Sequence, residues 1–148
     1  MGVLSGSASA DINAPQERCY EIAADVDNIA EWQGGVVGVE VLERDGEGRA
    51  LVAEITNDAK IRTVKVRVRF SYDPPNGLSW KQEKGDVKSL EGSWSFTGTG
   101  DTTTATYDLA IDPGRVLGML ARGPVVDRVR SLMVEARPRQ LKERAEQG

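Results

Sequence analysis

The chain has 148 residues, 39% hydrophobic and 28% charged, with one cysteine and no histidine, which fits one globular domain with a substantial core and excludes a disordered chain. A net charge of −4 and a pI near 5.0 exclude a general nucleic-acid binder, which needs a basic surface to displace counterions. The lone Cys19 excludes an internal disulfide, and the lack of histidine removes the commonest metal ligand and general base, so neither a metal nor a cofactor is expected.

No apolar run approaches the roughly 18 residues of a membrane span, and the first residues lack the basic start and apolar stretch of a signal peptide. A cytoplasmic protein is the expectation. Charge is uneven: residues 1–112 hold 11 Lys/Arg and 19 Asp/Glu, whereas residues 113–148 hold 8 and 4, so the C-terminal segment is the basic one.

Residues 3–12 (VLSGSASADI) are small and alternating, the pattern of an edge strand. Asn13 with Gln16 predicts a capped helix with Pro15 in its first turn, and Cys19, Ile22, Ala23 and Val26 form its apolar stripe. Asn28 with Glu31 repeats the capping pattern, Ile29 and Trp32 give a second short helix an apolar side, and Gly34 and Gly35 end it.

From residue 36 the period changes to two, and turn signals recur every ten to fifteen residues. Strands are predicted at 36–44, 49–56, 62–72, 77–83, 87–97 and 102–111, joined by the turns DGEG, NDAK, DPPNG, KGD and GTGD. Turns this short make neighbouring strands pair in order. In "VKVRVRFSY", Val64, Val66, Val68, Phe70 and Tyr72 share one face and Lys65, Arg67, Arg69 and Ser71 the other. The same alternation puts Leu78, Trp80, Leu90, Trp94, Phe96, Ala105, Tyr107, Leu109 and Ile111 on the dry side. A long amphipathic helix from "PVVDRVRSLMVEARPRQLKERAE" would cover them with Val125, Val129, Leu132, Met133 and Ala136, bending at Pro138, with Leu141 beyond. No repeat or linker divides residues 1–148, so one domain is expected.

This order is that of the helix-grip fold, an α+β arrangement: a curved antiparallel sheet of about seven strands, two short helices after strand 1 and a long C-terminal helix across the sheet. The chain resembles the START-like (SRPBCC, Bet v 1-like) superfamily, in particular its bacterial polyketide cyclase/dehydrase and lipid-transport branch. The resemblance is carried by "INAPQERCYEIAADVDNIAEW", "VVGVEVLE" and "LKERAE" and covers nearly the whole chain. It implies that residues 10–36 plug one end of a cavity between sheet and helix, with Trp32 near the wall. Unfilled volume forfeits packing, so a retained hollow is usually for a ligand.

Two readings then stand for the aromatic stripe: it fills the core, or it lines a pocket. Under the second, which the resemblance favours, the ligand-binding residues are Trp32, Val66, Val68, Phe70, Trp80, Trp94, Phe96, Tyr107, Leu117, Leu120, Val129 and Met133. "GRVLGMLARGPVV" (114–126) sets Val116, Leu117, Met119 and Leu120 between glycines and beside Arg115 and Arg122. It reads either as a gate with at most transient membrane contact or as a sealing core helix. Asp25, Asp27 and Asn28 read as helix-end residues, since a calcium loop needs a glycine and a spaced glutamate. The basic row of Lys65, Arg67 and Arg69 reads as a solvated face paired with carboxylates such as Glu54.

Catalysis would fall to Tyr72, Tyr107, Glu83 or Glu54, none of them in a recognisable constellation. The leading expectation is binding or transport of a small hydrophobic ligand, lipid or polyketide-like, in the cavity. The alternatives are an aromatase/cyclase-dehydrase type enzyme acting on a polyketide-like substrate, and a protein-interaction or regulatory module.

Overall fold

Period-two alternation between short polar turns becomes one continuous meander. The structure is a computed structural model that describes residues 4–58, 63–114 and 124–147. Strand β1 (Leu4–Ile12) leads into helix α1 (Gln16–Ala24) and a 3-10 helix (Val26–Glu31). Six strands follow: β2 (Val36–Arg44), β3 (Ala50–Asp58), β4 (Thr63–Asp73), β5 (Gly77–Gly85), β6 (Ser89–Thr99) and β7 (Thr102–Asp112). The C-terminal segment is helix α2 (Pro124–Arg130), a π turn (Ser131–Glu135) and helix α3 (Ala136–Glu146). No described helix is long and apolar enough to cross a membrane.

The seven strands form one antiparallel sheet in the order β1-β7-β6-β5-β4-β3-β2, the helix-grip arrangement. Its edges are β1 and β2, so α1 and the 3-10 helix carry the chain from one edge to the other. Two short helices can make that crossing because the sheet is curved, and in doing so they close one end of it.

The two faces separate as the alternation predicts. On β4, Val66, Val68 and Phe70 are buried and Val64 and Tyr72 half-buried, while Arg67 pairs with Glu54 at 2.8 Å and Arg69 with Glu83 at 2.7 Å on the solvated side. The capping boxes do not form. The Gln16 side chain donates to Pro75 O and Phe96 O and accepts from Gly98 N, fastening α1 to the β6 end of the sheet rather than to its own first turn. Likewise Asn28 donates to Asp25 at 2.8 Å, and Glu31 pairs with Arg144 of α3 at 2.7 Å. Tertiary partners outcompete the local caps because each joins elements that the chain must hold together.

The closing helix packs on β1, β7 and α1, at one edge of the sheet. Its predicted stripe is corrected at one position: Leu132 is 36% exposed, whereas Val134, Leu141 and Ala145 are buried. The π turn is the reason. It adds one residue to the turn, with Ala136 N–H bonding back five residues to Ser131 O, and so advances the apolar stripe by one position. Pro138 then falls in the first turn of α3, where its missing N–H costs little, and Val134 packs against Gly6 of β1.

Candidate functional site

Between the dry face of the sheet and the closing helix lies an enclosed cavity of about 60 Å³, room for a few water molecules. Its wall takes Val66, Val68 and Phe70 from β4, Leu78 and Trp80 from β5, Leu90 and Trp94 from β6, and Tyr107 and Leu109 from β7. Ala23, Val26 and Ile29 close the plug end, and Met133 and Arg137, one helical turn apart, face it from the closing helix. Trp80 reaches across the strand over Gly92, where a Cβ would stand 2.7 Å from its ring, so a side chain at 92 would push the indole into the cavity.

Of the residues expected to bind a ligand, Val66, Val68, Phe70, Trp80, Trp94, Tyr107 and Met133 come together on this wall. Trp32 and Phe96 do not line it: Trp32 packs behind Trp94 with ring centroids 6.3 Å apart, and Phe96 stacks on Trp94 at 5.8 Å and meets the edge of Tyr20. Val129 is half-buried but off the wall, because its turn of helix lies beyond the cavity. Leu117, Leu120 and the rest of the apolar loop at 115–123 lie outside the described residues.

The polar groups cluster at the end formed by the 3-10 helix exit and the β2/β3 ladder, where Gln33, Asn57, Tyr107 and Arg137 join the wall. Asn57 and Arg137 are buried, at 9% and 3% exposure. Arg137 Nη1 donates to Gly34 O and to Gln140 Oε1, while its Nε is buried with no partner. Burial pushes the Tyr107 phenol up, and the neighbouring Arg137 opposes part of that shift. The phenol is therefore protonated at neutral pH, a donor beside a guanidinium.

Two of the residues considered for catalysis are corrected. Glu54 and Glu83 point to the solvated face, held in ion pairs, and Arg67 keeps the Glu54 carboxyl below its ordinary range. Tyr72 hydrogen-bonds Ala50 O at 2.6 Å beneath the Arg49 guanidinium, away from the cavity. Only Tyr107 of the four reaches the wall. Sequence reading passed over Arg137, although its i, i+4 spacing from Met133 was the available signal; it passed over Asn57 because that residue was read as a turn.

A wider depression of about 780 Å³ lies on the outer face, floored by Ser7, Ser71, Ser79, Ser93 and Asp108. These small polar side chains sit opposite one another across five strands. The surface is open and solvated and offers no apolar enclosure.

With this geometry in view, comparison with known proteins gives a consistent result. The profile of the family described as "Polyketide cyclase / dehydrase and lipid transport" matches residues 12–137. Among solved structures, the chain is similar to a START superfamily protein from Mycobacterium smegmatis (21% identity, TM-score 0.83, 97% of each chain covered). It is equally similar in shape to a protein from Thermus thermophilus (25% identity, TM-score 0.83, 97% of each chain). A third is the Zhui aromatase/cyclase from a Streptomyces species (19% identity, TM-score 0.81, 98% of this chain and 94% of that one). Among curated proteins none matches the sequence.

Proposed function

Because the chain belongs to the polyketide cyclase/dehydrase and lipid transport family, we propose that it binds a small hydrophobic molecule in the cavity between sheet and closing helix and carries or presents it in the cytoplasm. The observation that carries this reading is the cavity wall: aromatic and aliphatic side chains from four strands, interrupted by a few convergent polar groups at one end.

At about 60 Å³ the hollow is smaller than a lipid or a fused-ring polyketide. Binding therefore enlarges it. Met133 has the unbranched, adaptable side chain suited to that movement, and Trp80 is held over Gly92 by packing alone. A ligand that displaces these two side chains recovers the dispersion contacts the empty hollow forgoes.

The test is native mass spectrometry of freshly purified protein, followed by solvent extraction and identification of what co-purifies. A stoichiometric apolar molecule is expected. A protein that emerges empty and also leaves the Trp80 and Trp94 indole signals unmoved by simple alkanols and naphthalenes overturns the reading.

One observation favours the enzyme reading as a second possibility. Tyr107 is a protonated phenol on the cavity wall beside a guanidinium, a pair able to donate a proton to and polarise a carbonyl of a polyketide-like substrate. Turnover of such a substrate that Tyr107→Phe abolishes while folding is kept would establish it; unchanged turnover removes Tyr107 from that role.

A further inference from the structure

We propose that Arg137 receives an anionic group of the ligand, so that the cavity selects amphipathic anions of the carboxylate class over neutral hydrocarbons. This deepens the ligand-binding reading and rests on it.

The described arginines fall into two kinds. Arg44, Arg49, Arg67, Arg69, Arg130 and Arg144 stand at the surface or half-buried, and each meets a carboxylate. Arg137 is buried and meets none among the described residues. Its two hydrogen bonds go to neutral oxygens, through one terminal nitrogen, and its Nε–H has no acceptor. The order is the reverse of what solvation favours, since a charge taken out of water needs a counter-charge more than an exposed one does.

The cavity wall holds no aspartate or glutamate to supply that counter-charge. Arg137 is the wall's single ionised group, and the groups around it, Gln33, Asn57 and Tyr107, are neutral with hydrogens to donate. An oxyanion placed there accepts from the free Nε–H in a charge-assisted bond, with amide and phenol donors at hand for its remaining lone pairs. The apolar body of the same molecule then lies along Phe70, Leu78, Trp80 and Trp94.

The competing explanation is that Arg137 is a strut, tying the closing helix to Gly34 and needing no ligand. A strut does not distinguish an anion from a neutral molecule of equal length. The experiment is therefore a titration of the full chain with octanoate and, separately, octan-1-ol, followed by the indole N–H resonances of Trp80 and Trp94. We expect octanoate to bind roughly ten- to a hundredfold more tightly, the scale of one hydrogen bond to a charged group. Arg137→Gln, which keeps a donor for Gly34, should bring octanoate down to the level of octan-1-ol and leave octan-1-ol unchanged; Arg137→Lys should retain part of the preference.

Equal or stronger binding of octan-1-ol to the wild-type chain overturns the proposal, with no variant required. So does an Arg137→Gln variant that weakens both molecules alike. If both molecules bind at Trp80 and Trp94 without preference, the cavity reading stands and the anion site falls. If neither moves those resonances, the cavity reading itself fails and takes this inference with it.

Discussion

The two ends of the dry face are built by the same strands and packed in opposite ways. At the plug end, Ile12, Cys19 and Leu141 are fully buried, Trp94 and Phe96 stack, and the Phe96 ring meets the edge of Tyr20. The polar groups brought in there are used: Gln16 bonds three backbone groups, and Thr103 donates to Ala14 O at 2.7 Å. Tyr20's hydroxyl goes unpaired, but it is neutral. At the other end the wall encloses empty volume, and the buried polar group left unsatisfied is a charged one, Arg137. A protein selected for stability alone would fill the hollow and pair or remove the charge. The contrast teaches that stability is concentrated at the plug while the cavity end is left open to a partner.

The largest effect that sharpens this comparison is truncation at the plug. Leu141→Ala should lower stability by about 2–5 kcal/mol in urea unfolding, because it opens a void in a filled region. A loss under about 1 kcal/mol would mean that the plug is not the rigid end.

Enlarging side chains should separate the two ends next. Ala105→Leu, on the strand segment paired with Phe96, should cost about 1–3 kcal/mol through overpacking. Val66→Leu, on the cavity wall, should cost under about 1 kcal/mol or add stability, since it fills volume already present. Equal losses at both positions would break the comparison.

Charge removal comes third. Arg137→Met should leave the unfolding midpoint within about 1 kcal/mol of wild type, or raise it, because the lost hydrogen bond to Gly34 is offset by relief of an uncompensated buried cation. A loss above about 2 kcal/mol would show that the guanidinium is already satisfied.

The smallest effect belongs to the exposed Asp27–Arg44 pair, at 2.8 Å, which ties the 3-10 helix to β2. The Arg44 hydrogen bond holds the Asp27 carboxyl below its ordinary range. Its contribution is therefore complete above that range and is lost as the pH falls through the lowered pKa. Asp27→Asn should lower Tm by about 1–3 °C at neutral pH, and the difference from wild type should close on acidification through that pKa.

Much of the fold was legible in the chain because its signals are local. Alternate side chains on a strand point to opposite faces, so Val66, Val68 and Phe70 could be assigned to the dry side and Arg67 and Arg69 to the wet side before any contact was known. The helices were legible as elements but not in their ends: Gln16 and Glu31 match capping patterns yet find stronger partners on distant strands and on α3. The cavity was legible in part. The strand residues of its wall follow from alternation, whereas Trp32 and Phe96 support that wall from behind, a distinction of depth that a period cannot carry.

By itself, then, the amino-acid order determined which segments are strands, which face of each is apolar and that an amphipathic helix must cover them, since each of these depends on neighbours a few residues apart. Tertiary structure alone decided how much space remains between sheet and helix and which polar side chains look into it. A single extra residue in the π turn rotates everything after Glu135, so that Leu132 turns outward while Arg137 comes to face the hollow with no acid beside it. That outcome depends on how the closing helix seats against Gly6 and the plug, a contact between the two ends of the chain.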